Sequence, residues 1–204
     1  PDTEVAGARD KAGTSGGFFF AAKGGHNAES HNHNDLGSCV LYYNGKPCLM
    51  DIGRETYTAK TFSNRRYEIW TMQSQYHNLP QINGVDQKEG RNFVAANSTF
   101  SADAKKAVFS TDIAKAYPEA AGVAKWVRNY TLERGKKFVI RDAYQLTKAG
   151  PEPTTINFVT SCKVTEGAPG KLILEGEGFN LEISYNSRTV TPKIEYNEIT
   201  DGGL

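Results

Sequence analysis

At 204 residues the chain has the length of one large all-β domain, because such domains often run to about 200–250 residues as a single unit. Its 24 basic and 23 acidic residues nearly cancel, and the basic residues are scattered, which argues against a nucleic-acid-binding protein. No apolar stretch is long enough to span a bilayer, so we expect no membrane span. We expect one domain over residues 1–204.

The predicted strands, in chain order, are 17–22, 38–43, 48–52, 91–101, 126–133, 137–146, 155–162, 171–175, 179–185 and 193–196. Asn44-Gly45 between the second and third of them predicts a tight hairpin. Residues 111–123 predict a short crossover helix, because Thr111 offers a cap oxygen and Pro118 interrupts the apolar pattern. Short strands with frequent turn signals indicate an all-β fold, a two-layer antiparallel β-sandwich with this one helix.

The three cysteines and the chain ends predict little chemistry of their own. Cys39, Cys48 and Cys162 are odd in number and the first two lie in apolar stretches, so we expect them to act as small core residues. The chain begins at Pro1 without a Met, and its tail follows a strand-like run without an evident closing element. We therefore expect a piece of a longer protein.

The segment 23–35 is the most informative part of the sequence, because it is polar, contains glycine and carries three of the histidines. In an extended chain alternate residues share a face, so His31, His33 and Asp35 are expected to point to one side. Imidazole titrates near neutral pH and is the commonest metal ligand, so both metal binding and acid–base chemistry fit these residues. His26 follows two glycines in a segment that predicts a turn, so we expect it to be an exposed loop residue.

Two further residues extend this set. Asp51 closes an apolar strand, and antiparallel pairing around the Asn44-Gly45 turn returns it to the residues just before Ser38. A site made of His33, Asp51 and His77 is therefore plausible, and two nitrogens with one oxygen favour zinc over calcium. The competing interpretation is a hydrogen-bonded polar network that only orders the loop.

Aromatic and basic residues follow Asp51 along the chain. Two roles are open for the aromatic residues, which are stacking on sugar rings and packing in the core. We expect the core, because most aromatic side chains of a sandwich are buried there. The basic residues suit an anionic glycan or form a solvated face. The aromatic residues are Tyr57, Tyr67, Trp70 and Tyr76, and the basic residues are Arg54, Lys60, Arg65 and Arg66.

The segments 24–35, 51–57, 67–71 and 76–80 together resemble the heparinase II/III-like polysaccharide lyases, in their C-terminal β-sandwich domain. The resemblance implies that an N-terminal helical (α/α) toroid of the same protein is missing and that the active site lies in the cleft between the two domains. It implies cleavage of an acidic polysaccharide by β-elimination, in the bacterial periplasm or at the cell surface. The isolated chain is then expected to be inactive.

Carried onto this sequence, the resemblance implies specific residue roles. His31 is expected to be the catalytic histidine that faces the substrate, with Asp35 supporting the metal ligands. His33, Asp51 and His77 are expected to bind a structural zinc. The expected substrate-binding residues are His26, Asn27, Glu29 and Arg54.

Two other functions remain open from the sequence. One is a non-catalytic glycan-binding or scaffold module, in which hydrogen bonds alone order the histidine segment. The other is a stand-alone hydrolase, which ranks last because no serine lies in a nucleophile elbow.

Overall fold

The computed structural model describes residues 4–204, so Pro1–Thr3, including the chain start discussed above, lie outside the described residues. Short strands dominate it, and its helical segments are single 3-10 turns. The strands are β1 (Val5–Arg9), β2 (Phe18–Lys23), β3 (His26–Asn27), β4 (Cys39–Tyr43), β5 (Lys46–Leu49), β6 (Pro80–Gln81), β7 (Gly90–Val94), β8 (Ala96–Ala102), β9 (Lys106–Asp112), β10 (Val123–Glu133), β11 (Lys137–Leu146), β12 (Thr155–Ile156), β13 (Lys163–Glu166), β14 (Lys171–Gly176) and β15 (Phe179–Ser184). The 3-10 turns are Ala59–Phe62, Arg66–Glu68, Trp70–Met72, Ser74–Tyr76, Ala114–Ala116 and Glu119–Ala121.

Two four-stranded antiparallel sheets form the sandwich, and its predicted all-β class is confirmed. One sheet has the strand order β1-β2-β4-β5 and the other β11-β10-β9-β8. Their inner faces meet in a core where the rings of Phe20 and Tyr130 lie 6.5 Å apart. Leu174 of the three-stranded sheet β13-β14-β15 is buried in the same core. Alternate residues of β9 and β10 are buried, as expected where one face of a sheet covers a core.

The predicted crossover helix over 111–123 is wrong. Thr111 belongs to β9, Val123 begins β10, and two 3-10 turns lie between them on either side of Pro118. Burial alternates with a period of two through residues 106–112, and this period is that of a strand rather than of a helix. No α-helix occurs among residues 4–204, and no helix there is long and apolar enough to cross a bilayer.

Several strand boundaries also differ from the predictions. The predicted strand 91–101 is divided at Ala95 into β7, which pairs with β3, and β8, which pairs with β9. A bulge at the positive φ of Asn97, 55°, then interrupts the pairing within β8. Within 155–162 only Thr155–Ile156 pairs as a strand, and 193–196 forms none. Five strands have no counterpart among the predictions, namely β1, β3, β6, β9 and β13.

The hairpin that carries Asp51 is confirmed. Asn44 and Gly45 have φ values of 51° and 78°, as a type I′ turn requires, and Tyr43 pairs with Lys46 across it. Cys48 is buried in β5 at 1% exposure, in agreement with its predicted core role. The strand ends at Leu49, so Asp51 lies just beyond it in irregular chain at the rim of the sandwich.

Candidate functional site

The histidine segment is a closed loop between β2 and β4. Two backbone hydrogen bonds join its ends. The Gly37 N–H donates to the Lys23 carbonyl at 2.7 Å, and the Lys23 N–H donates to the Ser38 carbonyl at 3.1 Å. Lys23 Nζ also forms ion pairs with Asp35 at 2.7 Å and Glu29 at 3.2 Å. Burial disfavours the Lys23 charge, but Asp35 and then Glu29 more than offset this, and its pKa is raised. The loop is therefore cross-linked from within.

Side-chain burial alternates along the loop as the extended reading predicts. Asn32 and Asn34 are buried, and the residues on either side of them are more accessible. The expected convergence of the three outward residues does not occur, because His31 has a φ of 58° and turns the chain. His31 points to Tyr57, His33 lies beside His77, and Asp35 pairs with Lys23.

The buried side chain of Gln87 forms hydrogen bonds with the histidine loop. Its side-chain amide exchanges two hydrogen bonds with the backbone of Leu36, at 2.7 and 3.0 Å, much as a neighbouring strand would. It also accepts a hydrogen bond from Asn27 Nδ2 at 3.1 Å, and Asn27 is 0% exposed. The Nδ2 group of Asn27 is therefore bonded inside the protein, and this burial argues against the expected contact with substrate, which stays a prediction.

His33, Asp51 and His77 come together at the rim of the sandwich. One ligand atom from each lies within 4.8 Å of the other two. His77 Nδ1 is 3.1 Å from Asp51 Oδ2, and the two imidazole rings have centroids 5.3 Å apart. His77 is fully buried, and its Nε2 has no hydrogen-bond partner, although a buried polar nitrogen normally has one. Two imidazoles and one carboxylate, with one imidazole nitrogen left unpartnered, fit a small divalent cation such as zinc.

The charges of this cluster act on one another. Burial disfavours a charged His77, but the hydrogen bond with Asp51 and the carboxylate charge raise the pKa of His77. Burial opposes the ionised form of Asp51 as well, yet His77 lowers the pKa of Asp51. Burial and the charge of His77 lower the pKa of His33. At neutral pH these shifts favour an ionised Asp51 and a neutral His33, the forms that bind metal, whereas a metal ion bound at His77 would have to displace the proton that Asp51 stabilises there.

His31 is exposed and sits against aromatic rings. Its Nδ1 lies 3.4 Å from the hydroxyl of Tyr57, and the two rings are nearly parallel, 24° apart. Phe62 meets His31 edge-on with centroids 6.1 Å apart. The Arg54 guanidinium lies 4.4 Å above the Tyr57 ring, as in a cation–π contact. An exposed imidazole, aromatic faces and a cation thus share one surface, and His31 on this surface is two residues from His33 of the cluster.

The other expected substrate-binding residues are less accessible. His26 is half-buried in β3, and its Nδ1 accepts a hydrogen bond from the Ala28 backbone at 3.2 Å. Glu29 is half-buried and held by Lys23, which leaves it as an internal anchor of the loop. Among the four expected substrate-binding residues, Arg54 is the one with an exposed side chain near His31.

The expectation that the aromatic residues after Asp51 form core is wrong for Tyr57, which is 41% exposed. Tyr67, Trp70 and Tyr76 are half-buried. Trp70 packs edge-on against Tyr76 with ring centroids 4.9 Å apart, and its indole N–H donates to Glu55. These three rings support the segment from the inside.

Sequence reasoning missed the buried polar groups under the cluster. Arg128 is fully buried, pairs with Asp142 at 3.0 Å, and donates from Nη1 to the Asn78 carbonyl at 2.6 Å. Asn78 follows His77 directly and is itself fully buried. A signal for Arg128 existed, because it alternates with Trp126 and Tyr130 on the inward face of a strand, where a charge requires a partner. Asn78 lies in the motif 76–80 that carries the family resemblance, but no local periodicity indicates that its side chain is buried.

A family model described as "Heparinase II/III-like, C-terminal" matches residues 9–203. Among solved structures, the chain resembles one titled "Heparinase III-BT4657 gene product", at 16% identity and a TM-score of 0.60 over 85% of this chain and 27% of that chain. It also resembles one titled "Crystal Structure of Heparinase III", at 18% identity and a TM-score of 0.55 over 77% of this chain and 25% of that chain. A comparison with curated proteins found no match.

The chain therefore spans about a quarter of the length of these solved chains, and at such identities the likeness establishes the fold. The family model covers nearly the whole sequence and agrees with the resemblance carried by the loop and rim motifs. The chain belongs to the heparinase II/III-like family and corresponds to its C-terminal domain.

Proposed function

We propose that this chain is one wall of the active-site cleft of a polysaccharide lyase that cleaves uronate-containing glycans by β-elimination. The observation that carries the proposal is the placement of an exposed His31 two residues from His33, within a loop cross-linked at both ends. A reacting group needs a fixed position, and this loop has one. A helical toroid of the same protein is the proposed opposite wall, and a periplasmic or cell-surface location is part of the proposal.

In β-elimination a base removes the proton at C5 of the uronate, the bond from C4 to the glycosidic oxygen breaks, and that oxygen takes up a proton. The C4–C5 double bond that forms retains the electron pair of the broken C–H bond. His31 is the proposed contribution of this chain, since an exposed imidazole has ring nitrogens that can accept or donate a proton in the reaction. The remaining acid–base groups are proposed to come from the toroid.

A structural zinc at His33, Asp51 and His77 belongs to the same proposal. The ion would lock the rim of the sandwich by joining the histidine loop to the segments after β5 and before β6. The fit of the donor set and the unpartnered Nε2 of His77 support it. The metal would hold His33 in place. Because only Asn32 separates His33 from His31, it would also limit the motion of His31.

Metal analysis of the purified chain tests the zinc site. We expect about one zinc per chain, the stoichiometry of a single three-ligand site, and its loss in His33→Ala and His77→Ala. His26→Ala is the matched control, because His26 is half-buried on the same loop but lies outside the cluster. Folded His33→Ala protein that retains zinc would contradict the assignment.

The lyase activity is tested on the longer protein that contains this chain. Unsaturated uronate products absorb in the ultraviolet, so their release from heparan sulfate and other uronate glycans can be followed directly. His31→Ala is expected to abolish the signal while zinc content and thermal stability stay unchanged. Zinc binding without any lyase activity in the longer protein would instead favour a glycan-binding or scaffold module.

A further inference from the structure

Three aromatic rings form an exposed cluster around His31, named here the aromatic platform: His31, Tyr57 and Phe62, with Arg54 above Tyr57. Phe62 is 67% exposed and Tyr57 is 41% exposed. The rings of Tyr57 and Phe62 meet edge-on with centroids 5.2 Å apart, and each lies 6.1 Å from His31. Single exposed apolar side chains are ordinary on protein surfaces, but rings packed on one another with open faces form a patch.

The platform is held in one geometry by backbone contacts. Phe62 ends the 3-10 turn Ala59–Phe62, in which the Thr61 hydroxyl accepts the Thr58 N–H at 3.0 Å. Arg66 then ties this turn to the histidine loop, because its guanidinium donates to the carbonyls of Thr61 and Asn32, both at 2.9 Å. The exposed rings are therefore preorganised, which lowers the entropy lost when a ligand binds.

The charge of the platform comes from Arg54. Among residues 4–204, Arg54 forms no ion pair, whereas Lys60 and Arg65 nearby both pair with Glu68. The Asp201 carboxylate, whose pKa is lowered mainly by the Thr56 and Gly203 N–H groups, lies close enough to interact weakly with the Arg54 charge. Its guanidinium stacks on Tyr57 and can still present N–H groups to a planar anion. An open aromatic face beside an arginine matches a pyranose ring that carries an acidic group, with its C–H face on the rings and its anion on Arg54.

We propose that the aromatic platform is a subsite for one acidic sugar residue of the substrate, with Tyr57 and Phe62 stacking on the ring and Arg54 binding its carboxylate or sulfate. The proposal rests on the proposed function, which it deepens by naming the residues that hold the sugar next to His31. Tyr57 also positions His31 through the contact of its hydroxyl with Nδ1.

The test is a titration of the isotope-labelled chain followed by nuclear magnetic resonance. The probes are a hyaluronan hexasaccharide, which has carboxylates only, a heparan sulfate hexasaccharide, which also has sulfates, and neutral maltohexaose. The variants are Phe62→Ala and Arg54→Gln. The matched controls are Phe100→Ala and Arg188→Gln, which remove an exposed ring and an exposed cation elsewhere on the surface.

We expect shifts confined to the platform with the acidic probes, a Kd raised about tenfold in each platform variant, and unchanged binding in the controls. Stronger binding of the sulfated probe would identify sulfate as the group on Arg54, and equal binding would identify the carboxylate. Absence of binding at millimolar concentrations, equal shifts with maltohexaose, or unchanged affinity in both platform variants would overturn the subsite. If the variants instead destabilise the longer protein without changing affinity, the platform is an interdomain contact and the subsite is refuted.

Zinc content measured on the same samples separates this proposal from the previous one. A chain that holds zinc but binds no acidic sugar refutes only the platform. A chain that binds the sugars through the platform but holds no zinc refutes only the metal site.

Discussion

Asn78 links the cluster of His33, Asp51 and His77 to the sandwich and offers a quantitative test of how this cluster is supported. Its Nδ2 donates to the carbonyls of Cys39 and Met50 at 2.7 and 3.0 Å, and its Oδ1 accepts the Val159 N–H at 2.7 Å. The side chain thereby joins β4, the end of the hairpin and the segment after β12, directly beside His77. Asn78 is 0% exposed, so water cannot replace these bonds.

Asn78→Ala removes all three hydrogen bonds and leaves two carbonyls and one N–H buried without partners. At about 0.5–1.5 kcal/mol for each bond, the free energy of unfolding should fall by about 3 kcal/mol. For a domain of this size, that loss corresponds to a melting temperature lower by roughly 6–12 °C. Zinc affinity should fall as well, since His77 loses its fixed neighbour.

Urea unfolding followed by tryptophan fluorescence measures the effect, because Trp126 is fully buried and reports on the core. Asn92→Ala is the matched control, since Asn92 is exposed on β7 and its side chain makes no hydrogen bond among the described residues. A loss in Asn78→Ala no larger than that in Asn92→Ala would refute the view that this amide joins the three segments.

Three further predictions address the metal, a buried acid and the buried ion pair. A chelator should lower the melting temperature of the wild-type chain but leave that of His33→Ala unchanged, because a ligand at about 100 times its Kd stabilises the folded state by about 2.7 kcal/mol. Burial raises the pKa of Asp86 above its ordinary value of 3.8, so the folded state binds this proton more tightly and loses stability as pH rises from 3.8 through the folded pKa. Asp86→Asn should therefore raise the melting temperature at pH 7 and flatten its dependence on pH, as calorimetry over an acid-to-neutral series would measure. Asp142→Asn should cost about 3–5 kcal/mol in chemical denaturation, since it leaves Arg128 charged and buried, and a loss below about 1 kcal/mol would contradict the ion-pair assignment.

Much of the fold could be predicted from local patterns. Asn44-Gly45 specified a hairpin because its two residues adopt positive φ readily, and the alternation in β10 identified a sheet with one buried face. The error at 111–123 arose because a cap-like Thr111 and a proline also occur where a strand ends in 3-10 turns. Strands of two to five residues, such as β12 and β1, carry too few residues for a period to be read.

The site was predictable in its residue types and only partly in its arrangement. Local sequence placed His31 and His33 in one loop, and the hairpin argument brought Asp51 toward them, because pairing in an antiparallel ladder follows from the turn. The burial of Asn27 could not be predicted, since it depends on Gln87, which is distant in sequence. The ion pair of Glu29 with Lys23 lies within one loop, but it depends on the fold of that loop, which no local periodicity indicates.

The sequence by itself determined the fold class, the hairpin, the histidine loop and the family, because these depend on local periodicity, turn chemistry and compact motifs. Only the tertiary structure decided which side chains face solvent and which face one another. It turned His31 toward Tyr57 and Phe62 and left those rings exposed, brought His77 to Asp51, and set Arg128 beneath Asn78. The physical reason is that burial and charge pairing are properties of packed segments, and no local pattern records which segments will pack.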